Sequence, residues 1–196
     1  LGNEWFGCVD ACVDEARKQK MEAWLYDEDR WPSGAAGGLV TRNPRYRHRS
    51  LTLDVMKSGG RGLWSEGTVA VFTARLDGNK ASDVERVRRG RSAGPLQRGH
   101  AVLRFRVAID AGSDWYNTYT YLDTMNHKAV QEFIRVTHKA YKKHNGRDFG
   151  GIIPGIFTDE PNFGTVMGRR GNSVPWTGAL PQTFRKRYGY NLVDRL

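Results

Sequence analysis

Two short runs in this 196-residue chain set carboxylates beside aromatic rings. They are Tyr26-Asp27-Glu28 with Trp31, and Phe157-Thr158-Asp159-Glu160-Pro161 with Phe163. Cleavage of a glycosidic bond needs this combination. A carboxylic acid protonates the leaving oxygen, and a carboxylate acts as base or nucleophile opposite an oxocarbenium-like transition state. Aromatic faces stack on sugar rings. Neighbouring residues of an extended strand point to opposite sides, so at most one of Asp159 and Glu160 faces a pocket squarely. For a single Asp-Glu pair, a helix cap or a buried salt bridge to arginine is the plainer explanation. Two such pairs, each after an apolar run and each followed by a proline loop, favour chemistry.

Other reactive residues have less to say. Cys8 and Cys12 lie one turn apart on an apolar helical stripe and are expected as core thiols. No His or Cys lies near them in sequence to complete a metal site. His138 falls within a helical pattern and is expected to pack or to make a supporting hydrogen bond. His48, His100, His127 and His144 show no metal-ligand spacing.

Elements must position these residues. Trp5, Cys8, Val9, Cys12, Val13 and Ala16 recur at helical spacing and predict a helix over residues 4–20. Residues 22–28 read as a short strand running into the Gly/Pro-rich loop 31–38. Residues 50–55, 68–76 and 101–109 are β-like, with Leu103, Phe105 and Val107 alternating against Arg104 and Arg106. Residues 118–122 are expected as a strand ending at Asp123. Asn126 is expected to cap a helix over about 127–144. Residues 152–158 read as a buried strand. A loop with Gly164, Gly168 and Gly171 and then a helix over 180–196 complete the chain.

Alternating helices and strands, with carboxylates at the strand ends, predict an α/β fold with a parallel sheet. The specific expectation is a partial (β/α)8 (TIM) barrel with a small antiparallel β insertion. Three barrel strands are counted, and a complete barrel takes roughly 250 residues. Residues 1–50 would open the barrel, 51–110 form a basic β-rich insertion, and 111–196 continue the barrel. The chain starts on Leu1 and ends on the amphipathic run 190–196, so it is expected to be a segment of a longer protein. The rest of that polypeptide would then be its partner.

Charge is uneven. Residues 1–41 carry a net −4, residues 42–106 a net +10, and residues 107–196 a net +4. The basic peak is Arg86-Val87-Arg88-Arg89-Gly90-Arg91. It is read as a solvated arginine-rich loop rather than a nucleic-acid surface. Trp64, Phe72 and Phe105 are not grouped as a stacking platform, and strand-end carboxylates would repel phosphates. No apolar run approaches the ~20 residues of a membrane helix, so neither a nucleic acid nor a membrane is expected as partner. Two cysteines cannot build a disulfide scaffold.

Three motifs in order carry a resemblance. They are Trp24-Leu-Tyr-Asp-Glu-Asp-Arg-Trp-Pro-Ser-Gly-Ala-Ala-Gly-Gly, Tyr121-Leu-Asp-Thr-Met-Asn, and Pro154-Gly-Ile-Phe-Thr-Asp-Glu-Pro. With the downstream Pro175-Trp176-Thr177 and Phe184-Arg185, they resemble bacterial glycoside hydrolases similar to family 106, the α-L-rhamnosidase-like proteins. The resemblance covers residues 1–50 and about 112–196. It implies a glycosidase acting on a carbohydrate, within a multidomain and often exported enzyme. No cofactor is required, while calcium is carried by some members, and the family inverts configuration. Glu160 maps onto the general acid, and Asp159 would orient it or bind substrate. Tyr26, Asp27, Glu28, Trp31, Asn117, Tyr119 and Asp123 are expected to bind substrate, with Tyr26 and Trp31 stacking on a ring. The second catalytic carboxylate would lie beyond Leu196. A carbohydrate-binding barrel without catalysis is the alternative, with a basic nucleic-acid-binding module ranked last.

Overall fold

A computed structural model of the chain describes residues 1–163 and 173–196. The expected glycine loop at Gly164, Gly168 and Gly171 lies outside the described residues. The chain divides into two compact units. One comprises residues 1–48 and 111–163, and the other comprises residues 49–110 with 173–196.

The first unit is helical around one short parallel strand pair. Helix α1 spans Asn3–Gln19 and ends where Lys20 turns to φ 57°. Strand β1 is Leu25–Tyr26 and pairs in parallel with β6, Ile156–Phe157, with Leu25 opposite Ile156 and Tyr26 opposite Phe157. Helix α2 is His127–Val136, started by Asn126, whose side chain accepts from the Lys128 amide. Helix α3 follows as His138–Asn145. The two are separated by Thr137, whose hydroxyl donates to the Phe133 carbonyl at 2.6 Å. Such back-bonding from a threonine bends a helix, and the break falls directly before His138.

Two apolar clusters hold this unit. Phe6, Val13, Leu25, Tyr141 and Ile153 form one, and Val40, Tyr121, Leu122, Ala129 and Phe133 the heart of the other. Leu122 is 2% exposed. A Cβ on Gly34, which sits at φ 141°, would collide with the Leu122 side chain. This close approach needs glycine at position 34. Leu122→Ala is expected to cost about 2–5 kcal/mol by opening a cavity, read as a lowered midpoint of urea unfolding.

The second unit is a five-stranded antiparallel sheet. Its strands are β2 Arg49–Met56, β3 Thr68–Asp77, β4 Lys80–Arg86, β5 His100–Ile109 and β7 Ser173–Pro175, in the order β4-β3-β5-β2-β7. Leu53 faces Phe105 across β2 and β5, and Phe72 faces Leu103 across β3 and β5. Both faces of the sheet centre are apolar. Ala70, Phe72, Ala74 and Leu103 cluster together, as do Leu63, Val71, Val87 and Val102. Edge strand β4 is exposed at all seven positions. Trp176, whose amide donates to the Arg49 carbonyl, is buried. Helix α4, Leu180–Tyr188, closes at Gly189 with φ 81°.

This architecture overturns the expected partial (β/α)8 barrel. The described residues contain one parallel pair, two residues long on each side, and no barrel arrangement. Residues 118–122 form no strand. Asn117 and Thr118 adopt φ 54° and 68°, and the Thr118 amide donates to the Ser113 carbonyl. Leu122 makes only an isolated antiparallel bridge to Arg47. Local turn bonds here outweigh the β preference of the threonines and tyrosines. The expected helix 180–196 stops at Gly189 and is followed by a 3-10 turn over Leu192–Arg195.

The cysteines also differ from expectation. Cys8 and Cys12 are both exposed and free, and Trp5 on the same stripe is 47% exposed. Only Phe6 and Val13 of α1 are buried. The helix therefore packs on a narrower face than its apolar pattern offers.

Candidate functional site

The β1–β6 pair sorts the two acidic runs onto opposite faces, as the two-residue period of a strand requires. Leu25 and Asp27 point inward and are buried, while Tyr26 and Phe157 are 42% and 55% exposed. Asp27 meets Thr158 on the inner face. Tyr26, Glu28 and Asp159 meet on the outer one.

On the outer face, the Tyr26 hydroxyl lies 2.7 Å from Glu28 Oε2 and 2.7 Å from Asp159 Oδ2. Asp159 and Glu28, both accepting from this hydroxyl, hold its proton and push the tyrosine above its ordinary pKa. The hydroxyl has one proton to donate, and an ionised carboxylate only accepts. Glu28 and Asp159 therefore share a single donor. The Phe157 ring packs beside Tyr26 at 5.5 Å between centroids. Tyr26 and Glu28 line an open cleft of about 510 Å³ together with Asp27, Asp29, Gly37 and Thr137.

On the inner face, Asp27 accepts from His138 Nε2 at 2.7 Å and from the Thr158 hydroxyl at 2.6 Å. Burial alone pushes the Asp27 carboxyl up. The hydrogen bonds from His138 and Thr158 outweigh it, so the group lies below the ordinary carboxylate value. An ionised Asp27 requires the Nε2 proton on His138. Ser33 ties the loop to β6, since its amide donates to the Asp159 carbonyl and its Oγ accepts from the Asp159 amide, both at 2.9 Å. Asp159 is in this way positioned through both its backbone and its carboxylate.

The remaining sequence-predicted residues fall elsewhere. Glu160 is exposed, directly after Asp159, and its backbone takes the left-handed value φ 42°. The Trp31 carbonyl accepts from the Trp115 indole at 2.7 Å, next to a cis peptide bond to Pro32. Asn117 donates to Asp29 at 3.3 Å. The Tyr119 ring lies under the Arg47 guanidinium at 5.0 Å. Asp123 is buried and accepts from the Met125 amide at 3.1 Å, a turn-forming contact. None of these four contacts joins the Tyr26 trio.

Sequence reasoning did not single out Ser33, Thr158, Asp29 or Trp115. Ser33 is an ordinary hydroxyl in the Gly/Pro-rich loop and Thr158 one at the end of an expected strand, and only the β1–β6 register brings them to Asp159 and Asp27. Among the described residues, no group of three or more His, Cys, Asp or Glu side chains could hold a metal ion. Among the described residues, no helix is long and apolar enough to cross a membrane.

Comparison with protein-family models, curated proteins and solved structures found no match for this chain.

Proposed function

We propose that the outer face of β1–β6 hydrolyses glycosidic bonds. The observation that carries this reading is the Glu28–Tyr26–Asp159 trio, which pairs two carboxyls through one hydroxyl. General acid–base cleavage of an acetal needs one protonated and one ionised carboxyl on the same face. Exposed Tyr26 and Phe157 supply the apolar surface for a sugar ring. The motif resemblance to family 106 glycoside hydrolases supports the same chemistry and suggests an α-L-rhamnoside-like substrate. That support now rests on the motifs alone, not on a barrel.

In this reading one of Asp159 and Glu28 is the nucleophile that forms a glycosyl-enzyme while the other protonates the leaving oxygen and then activates water, and the Tyr26 hydroxyl holds the two together. The two carboxylate oxygens can be no farther apart than twice 2.7 Å. That bound falls in the ~5–5.5 Å range of retaining enzymes and below the ~6.5–9.5 Å of inverting ones. The trio thus favours retention, whereas the resemblance implies inversion. A second assignment is favoured by one observation. Glu160 holds a left-handed backbone that non-glycine residues rarely adopt, and such conformations gather at functional sites. This keeps Glu160 as the alternative general acid.

The test is an assay of the chain on aryl glycosides that include α-L-rhamnoside and β-galactoside, with the first-formed anomer followed by proton NMR. Hydrolysis with retention is the expected outcome. Hydrolysis with inversion would keep the glycosidase and remove the close pair as its machinery. Failure to cleave any member of the panel would favour carbohydrate binding without catalysis.

A further inference from the structure

The basic middle of the chain is shaped, not merely charged. Val87 is buried, and its amide donates to the Val71 carbonyl at 2.9 Å. This anchors a four-residue turn, Arg88–Arg91, closed by the Arg91 amide on the Arg88 carbonyl at 3.0 Å. Gly90 takes φ 78°, the left-handed corner that such a turn assigns to glycine. A second tie, from the Ala93 amide to the Gly59 carbonyl at 3.0 Å, brings the 91–93 backbone to the loop that carries Arg61. Arg61 and Arg91 then line one cleft of about 440 Å³ with Leu63, Trp64 and Ser92. A smaller cleft of about 260 Å³ shares Arg91 and Ser92 and adds Arg88.

Two neighbouring arginines on the sheet are neutralised. Arg104 pairs with Asp54 at 2.9 Å, and Arg86 pairs with Asp194. Among the described residues, the side chains of Arg61, Arg88, Arg89 and Arg91 make no ion pair or hydrogen bond. Three unneutralised guanidiniums, those of Arg61, Arg88 and Arg91, stand around two adjoining clefts and repel one another, and an anion relieves this. The Trp64 indole N–H is also buried with no hydrogen-bond partner, a donor that an oxyanion could satisfy.

We infer that these clefts bind the sulfate or carboxylate groups of an acidic polysaccharide. The guanidinium fork matches a carboxylate or sulfate bidentately, and Trp64 offers an apolar wall for the sugar ring that carries it. A nucleic acid fits less well. Its backbone places a phosphate every ~3.4 Å along a strand and asks for a continuous basic track. Here Asp83 and Glu85 interrupt β4, and Glu85 itself lines the smaller cleft. Single-strand binding also wants successive aromatics, and Trp64 is the one aromatic lining either cleft. This inference stands on the sheet unit alone and does not depend on the glycosidase reading.

The test is binding of the full chain to heparin, polygalacturonate, neutral dextran and a mixed-sequence oligonucleotide at ~0.15 M salt, a concentration that screens distant charges. The chain should bind one or both acidic glycans and not dextran. Arg61→Ala/Arg91→Ala should weaken that binding by about tenfold or more, the worth of one lost charge-assisted hydrogen bond. Lys142→Ala/Lys143→Ala removes the same charge from exposed positions in the other unit and should leave it unchanged. All four side chains are exposed, so circular dichroism should report an unaltered fold. Equal weakening by both pairs would reduce the effect to net charge and overturn the site. So would absence of binding to either acidic glycan. Tighter binding of the oligonucleotide, lost with Arg61 and Arg91, would assign the clefts to nucleic acid instead.

Discussion

Asp159→Asn lowers kcat on an activated aryl glycoside by about 10²–10⁴, the usual worth of a positioned acid or base, and leaves the folded spectrum in place. The asparagine keeps both backbone bonds to Ser33, because the Asp159 amide and carbonyl make them. Only the carboxyl contact to Tyr26 is altered. Glu28→Gln should cost a similar factor, since it removes the other arm of the same proton-sharing unit. Combining the two should cost much less than the product of the single effects, because groups that act as a unit are not additive. Tyr26→Phe should retain more activity than either, as it deletes the bridge and leaves both carboxyls. Glu160→Gln separates the two assignments. A small effect leaves the trio as the acid–base machinery, and a loss as large as that of Asp159→Asn returns the acid to Glu160.

Asp27→Ala is expected to destabilise the fold by about 3 kcal/mol, from two lost bonds to a charged acceptor and the donors left unpaired behind it. The Asp27 side chain is fully buried, and His138 and Thr158 converge on a single one of its oxygens. The pH dependence has a definite sign. Burial raises the Asp27 carboxyl and the hydrogen bonds from His138 and Thr158 lower it by more, so its folded value lies below the ordinary 3.8. Its contribution is therefore complete above about pH 4 and is lost as pH falls through the folded value. Asp10 and Glu132 are also held low, by His144 and Arg135 respectively, so the parent alone does not isolate Asp27. The difference between parent and Asp27→Asn does. Urea midpoints at pH 3 to 6 should converge toward the acid end and separate above pH 4. A constant gap across that range would mean that the Asp27 charge adds nothing to stability.

Both predictions grow from one structural fact, the two-residue parallel register of β1 and β6. It places Tyr26 opposite Phe157 and sends Asp27 inward and Glu28 outward. Alternation along each strand follows from backbone geometry and could be stated from the sequence alone. Which side would be buried could not. Asp27, expected among the substrate-binding residues, is a buried hydrogen-bond centre, and its outward neighbours hold the exposed chemistry. Asp123 shows the same limit, since an acid at the end of an expected strand turns out to cap a turn.

The local elements trace to local causes. The alternation of Leu103, Phe105 and Val107 against arginines belongs to β5, and Asn126 caps α2 through its own side chain. Asn117 and Thr118 show where a local preference fails. A run of threonines and tyrosines favours a strand, but turn bonds to Ser113 take the backbone first. The apolar stripe of α1 shows a different failure. Periodicity specifies which residues share a face, whereas burial depends on what packs against that face, and Cys8 and Cys12 stay exposed.

Residue types and spacing by themselves established the acidic runs, their aromatic neighbours, the basic middle and the alternating faces of the strands. These are properties of covalent order and of the period of the backbone. The bridging of Glu28 to Asp159 through Tyr26, the inward pairing of Asp27 with His138, and the setting of Arg61 beside Arg91 belong to the tertiary structure alone. Each joins residues through a register or turn whose free energy comes from the cores around it, and no spacing along the chain encodes that sum.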